Sequence, residues 1–122
     1  MRVAVVSKGS SLESEMDTRF ARARYFVVAD TETGVSCVVD NEDVRNADGV
    51  AGFRAASSVE ETGAKAVLTG HIGPNAFAAL GTRGISIYTG LKGTVARALK
   101  RFVAGGLRAA TAPSVETHWI GS

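Results

Sequence analysis

Ala66-Val67-Leu68-Thr69-Gly70-His71-Ile72-Gly73-Pro74-Asn75-Ala76-Phe77-Ala78-Ala79-Leu80 and, a little further on, Ile85-Ser86-Ile87-Tyr88-Thr89-Gly90-Leu91-Lys92-Gly93-Thr94-Val95 make the same transition twice. A short aliphatic run ends in Thr-Gly-x-x-Gly and passes into residues spaced for a helix. The first unit reads as a strand at 66–68 and a helix opening on Pro74, whose missing amide costs nothing in a first turn. Phe77 and Leu80 are expected inward and Gly81 as a stop. The second reads as a strand at 85–88 and a helix from Thr94, with Val95, Leu99, Phe102 and Val103 on one face, closing at Gly105-Gly106. Strand, loop and helix repeated in that order predict parallel neighbours, and so an α/β fold.

Working back from there, Val3 to Val6 is apolar without alternation, the pattern of a strand covered on both faces. Residues 9–19 are polar apart from Leu12 and Met16 and predict a long loop, a place where function often sits. Tyr25 to Ala29 and Val35 to Val39 read as an antiparallel hairpin turned by Asp30-Thr31-Glu32-Thr33-Gly34. After a turn-rich stretch from Asn41, Asp48 is expected to cap a helix over 49–62 with Val50, Phe53 and Val59 inward. Periodicity is lost beyond Gly106. The reading is therefore one domain over 1–106 and a flexible tail over 107–122, with Trp119 in it unassigned.

The 122 residues are 45% hydrophobic and 21% charged, with a formal charge of +2, which suits one soluble domain and gives no case for nucleic acid or membrane as partner. No apolar run is long enough for a signal-peptide core or a membrane span, so the expected compartment is the cytoplasm. Cys37 is the single cysteine. It rules out an internal disulfide and any centre built from several thiolates. On its strand it reads as a small buried apolar residue.

The candidate site is the pair of loops Thr69, Gly70, His71, Ile72, Gly73 and Thr89, Gly90, Leu91, Lys92, Gly93, Thr94. Parallel strands send both loops to one sheet edge, glycines let backbone N–H groups approach an anion, and each following helix adds partial positive charge. Plain tight turns would produce the same glycines, so the spacing alone leaves both readings open. Neither loop is a Walker motif or a dinucleotide fingerprint. Cations near that edge are expected from Lys8, Lys92, His71, Arg19, Arg22 and Arg24. If the last stretch is extended, Arg22 and Arg24 share a face. His71 could ligate a metal or donate a hydrogen bond to an anion, although a single loop histidine is more often merely exposed, and His118 in the tail carries less weight still.

These residues resemble the dinitrogenase iron–molybdenum cofactor biosynthesis family, which includes NifX-like proteins, NifB C-terminal domains and the orange protein. The likeness spans about residues 1–106. It rests on Arg2-Val3-Ala4-Val5-Val6-Ser7, Arg19-Phe20-Ala21-Arg22-Ala23, Ala51-Gly52-Phe53-Arg54-Ala55-Ala56, Gly93-Thr94-Val95 and, most specifically, Gly73-Pro74-Asn75-Ala76-Phe77. The resemblance implies a ribonuclease H-like fold with a five-stranded mixed sheet, the first three strands antiparallel and the last two parallel to the first. It also implies binding of an anionic metal–sulfur cofactor, either an iron–molybdenum precursor or a molybdenum–copper sulfide cluster. Family members often carry His-Phe-Gly-Arg where this chain has Arg19-Phe20-Ala21-Arg22, and His-Gly where it has Asp48-Gly49. Both histidines that would contact iron are thus absent, which points to the orange-protein branch and to a cluster held without Cys ligation.

The function expected is a non-catalytic carrier of such a cluster, with other cofactor-assembly proteins as partners. The alternative is an enzyme or sensor for a phosphorylated small molecule at the same loops. The sequence offers no nucleophile–base pair for it, and the first strand lacks the carboxylate that a nuclease of this fold needs. A third reading is an interaction module that recruits a partner through the strand at 35–39 or through the tail.

Overall fold

The computed structural model describes residues 1–47 and 49–114. The elements run β1 (Arg2–Ser7), β2 (Tyr25–Asp30), β3 (Ser36–Asp40), α1 (Glu42–Arg45), α2 (Ala51–Glu61), β4 (Ala64–Leu68), α3 (Pro74–Thr82), β5 (Ser86–Tyr88) and α4 (Val95–Ala104). They form one five-stranded sheet in the order β3-β2-β1-β4-β5. β1 is antiparallel to β2 and β2 to β3, while β4 is parallel to β1 and β5 to β4. That is the mixed sheet the sequence predicts.

β1 is central because it can be buried on both faces: Val3, Ala4, Val5 and Val6 are all fully enclosed. α2 and α3 pack against each other on one face, and α4 covers the other. Tyr88 and Phe102 meet edge to face across the α4 side, with ring centroids 5.3 Å apart. Three parallel strands then end at one rim, at Ser7, Leu68 and Tyr88, and both glycine loops leave from it.

Four local expectations are corrected. Val50 and Phe53 are 46% and 47% exposed rather than inward. α2 turns Gly52, Ala55, Ala56 and Val59 to the core, a stripe of small residues that lets it lie close to α3, and Phe53 falls one position off that stripe. Val103, 63% exposed, likewise lies beside the α4 stripe of Val95 and Ala98. Cys37 is exposed, because β3 is an edge strand that no helix covers. The 41–49 stretch contains the short helix α1. Val50 stands at the N-cap of α2, and Asp48, the expected cap, lies outside the described residues, as do His118 and Trp119.

Asp40, at the end of β3, accepts the Glu42 amide at 2.9 Å and the Arg24 guanidinium at 2.6 Å. The amide first and the guanidinium second hold its carboxyl below the usual value. A depressed carboxyl contributes stability above the ordinary carboxylate range and loses it as pH falls through the lowered value. Thermal unfolding followed from pH 7 downward should therefore show a drop in Tm that begins below about pH 4. Asp40→Asn should lose less on acidification than the parent; an equal loss would remove Asp40 as a cause.

Candidate functional site

The long loop after β1 is a strap across the rim. Lys8 N–H donates to Glu15 O at 2.9 Å, closing residues 8–15 into a hairpin-like turn. Met16 N–H donates to Gly93 O at 2.8 Å and Val95 N–H to Ser14 O at 2.9 Å, so the strap is stitched to the second glycine loop. Further on, His71 N–H donates to Thr18 O at 2.7 Å and Phe20 N–H to His71 O at 3.1 Å, which stitches it to the first. The two glycine loops are tied in turn to each other, Gly90 N–H to Gly70 O at 2.8 Å and Leu91 N–H to Thr69 O at 3.3 Å. Leu12 and Met16, the anchors expected from sequence, pack into the core under this strap.

The repeated motif is built for two different reasons. A Cβ on Gly70 would stand 2.8 Å from Thr18 O, so glycine is needed there for the strap to pass. Gly90 instead adopts φ 76°, a left-handed turn conformation. Gly73 caps α3 in extended conformation before Pro74, whereas Thr94 caps α4 with its hydroxyl accepting from Arg97 N–H. The Thr69 hydroxyl donates to His71 O at 3.1 Å, inside the loop.

Several of the amides expected to cradle an anion are therefore spoken for. Those of His71, Gly90 and Leu91 serve backbone carbonyls, and that of Ile72 donates to the Ser114 hydroxyl at 2.8 Å. Thr69, Gly70, Ile72, Gly73 and Leu91 are buried, and Thr89, Gly93 and Thr94 are half-buried. What faces solvent along the rim is His71, Gly90, Lys92 and Lys8. Arg19 stands beside His71 in an isolated parallel bridge. Among the described residues no hydrogen bond or ion pair engages the ammonium groups of Lys8 and Lys92.

The remaining arginines are directed elsewhere. The 19–24 stretch is not extended: Arg22 turns its guanidinium to the Arg45 carbonyl at the end of α1. Arg24 pairs with Asp40 and Glu42 and lies over the Tyr25 ring, 4.3 Å from its centroid. Asn41, 1% exposed, holds this stretch against β3 by donating to Ala21 O at 3.2 Å and Ala23 O at 2.9 Å. Sequence reasoning misses it, because one Asn in a turn-rich run looks like any other.

A signal that was legible is charge segregation: between Glu61 and Glu116 the sequence has no Asp or Glu, yet includes Lys65, Arg83, Lys92, Arg97, Lys100, Arg101 and Arg108. Of these, Lys92 stands on the rim, whereas Lys65 and Arg83 lie at the opposite ends of β4 and β5 and Arg83 pairs with Glu60; Glu13, Glu15 and Asp17 of the strap carry negative charge beside the second loop. Among the described residues no three His, Cys, Asp or Glu gather as metal ligands, and Cys37 is on β3, separated from β4 by β2 and β1. This donor set suits a cargo that is itself anionic and is held by charge and hydrogen bonds; it does not suit one ligated by protein thiolates.

Fold and rim together define a small α/β domain whose three parallel strands end beneath two glycine loops crossed by a strap. The chain belongs to the dinitrogenase iron-molybdenum cofactor family, which it matches over residues 1–105. Among solved structures it is similar to the apo form of the orange protein from Desulfovibrio gigas, at 39% identity and TM-score 0.91, covering 93% of this chain and 96% of that one. It is also similar to a Thermotoga protein described as a candidate NifB, at 36% identity and TM-score 0.81, covering 93% and 97%. A Methanocaldococcus jannaschii protein described as a candidate dinitrogenase, 18% identical with TM-score 0.69 and coverage of 93% and 97%, shares the fold. A comparison with curated protein sequences finds no match. No helix among the described residues is long and apolar enough to cross a membrane.

Gly70→Ala should destabilise the protein by ~1–3 kcal/mol in denaturant unfolding, since the added methyl overpacks against main chain that cannot swing aside. It should also speed hydrogen exchange of the His71 amide. Unchanged stability and exchange would contradict the close approach of the strap.

Proposed function

We propose that this chain is a non-catalytic cytoplasmic carrier for an anionic metal–sulfur cluster containing molybdenum, of the molybdenum–copper sulfide or iron–molybdenum type, acting beside other cofactor-assembly proteins. The observation that carries the reading is the convergence of Lys8, Arg19, His71 and Lys92 on the rim where the strap crosses both glycine loops. The likeness to the orange protein and the family membership support it.

The reading assigns the residues unequal tasks. Lys8, Lys92 and Arg19 neutralise the cluster's charge, and His71 donates a hydrogen bond to it. Gly93 gives it close access to backbone, and Gly90 turns the second loop beneath it. Thr69, Gly70, Ile72, Gly73, Thr89, Leu91 and Thr94 shape the loops beneath. Arg22 has a supporting task, through α1. Cluster sulfides are large, soft acceptors, and several cations at moderate distance hold them without displacing metal–sulfur bonds. Such binding is weakened by salt.

Anaerobic mixing with tetrathiomolybdate and copper(II), followed by desalting, metal analysis and a visible spectrum, is the test. A coloured protein with bound molybdenum and copper is expected. Lys8→Glu with Lys92→Glu should weaken binding about tenfold or more, and Cys37→Ser should leave it unchanged. A colourless product, or loss of colour in Cys37→Ser, would overturn the reading. Thermal stabilisation by nucleotides alone would instead favour a phosphorylated ligand.

A further inference from the structure

Beyond α4, the chain turns at Gly105 and Gly106, and Leu107 packs against the core. Ala110 N–H then donates to Ile87 O at 2.6 Å, beside β5. Four residues later Ser114 closes on the first glycine loop with three contacts. Its N–H donates to Ile72 O at 2.9 Å, its Oγ accepts the Ile72 N–H at 2.8 Å, and its hydroxyl lies 3.2 Å from Ile72 O as a donor. This segment lies outside the family match, which stops at residue 105.

The kind of partner matters. Where the amides of His71, Gly90 and Leu91 bond, the acceptor is a main-chain carbonyl of the interlocked rim, and freeing any of them would take the rim apart. The Ile72 amide alone among these bonds a side-chain hydroxyl, on a segment whose described backbone bonds to the body are those of Ala110 and Ser114. It is the one loop donor of the four that can change partner while the fold stays closed. An anionic acceptor makes a stronger bond to an amide than a neutral hydroxyl does, and that gain offsets the Ser114 and Ala110 contacts given up when an anion arrives.

We propose that Ser114 is a residue of the ligand site: its hydroxyl occupies the Ile72 amide while the site is empty and yields it to the anionic cargo, which releases the 107–114 segment. This rests on the carrier reading above. It gives the protein a loading signal, since the segment is docked when empty and loosened when filled, in a place a partner can read.

The experiment uses the full chain, labelled with 15N, and tetrathiomolybdate with copper(II) as the probe. Without probe, Ser114→Ala should raise exchange of the Ile72 amide about tenfold, the factor matching one ordinary hydrogen bond, and Ser114→Thr should not. With probe, wild-type Ala110 and Ser114 amides should lose protection, and Ser114→Ala should bind the probe several-fold more tightly. Probe binding with Ala110 and Ser114 still protected, or weaker binding by Ser114→Ala, overturns this proposal alone. If neither protein binds the probe, the carrier reading falls and this proposal falls with it.

Discussion

The carbonyl oxygen of Thr18 accepts the His71 amide at 2.7 Å and lies 2.8 Å from where a side-chain carbon of Gly70 would stand. Everything at the rim depends on that approach. Because residue 70 has no side chain, the strap can lie across the first glycine loop, and because it lies there, Arg19 comes beside His71. The other end of the strap, bonded to Gly93 and to the α4 amides, fixes Lys8 and the second loop with respect to the first. A long polar loop, costly in conformational entropy, is thereby ordered by backbone hydrogen bonds more than by burial.

The same economy explains why the glycine repeat is a poor guide to a cradle of amides. Twenty residues apart, the two motifs look equivalent, yet one glycine serves close contact and another serves a left-handed turn. Several of the donors expected of them hold the loops together. Lys92 of the second loop stands in a stretch of chain that lacks carboxylates from Thr62 to Val115.

The elements whose signal is periodicity were legible: the doubly covered β1, the β2–β3 hairpin, both strand–loop–helix units and the stop at Gly105. What escaped was what depends on neighbours. Phe53 and Val50 look like core residues until α2 is seen to pack through alanines, and Cys37 looks buried until β3 proves to be an uncovered edge. Arg22 faces the site only if its stretch is extended, and Asn41, which holds that stretch in its actual turn, has no local signature. The rim's location was readable from topology alone. The strap over it and the Ser114 contact, which join residues 53 and 42 apart, were not.

The central claim is that an anionic cluster is held by cations at the rim where β1, β4 and β5 end. Its most direct test is a 1H–15N NMR titration of the full chain with tetrathiomolybdate and copper(II). The account predicts shift changes centred on Lys8, Arg19, His71 and Gly90 to Gly93, with β3 silent. Changes centred on Cys37 and Arg2, which line a separate pocket at the other end of the sheet, would contradict it.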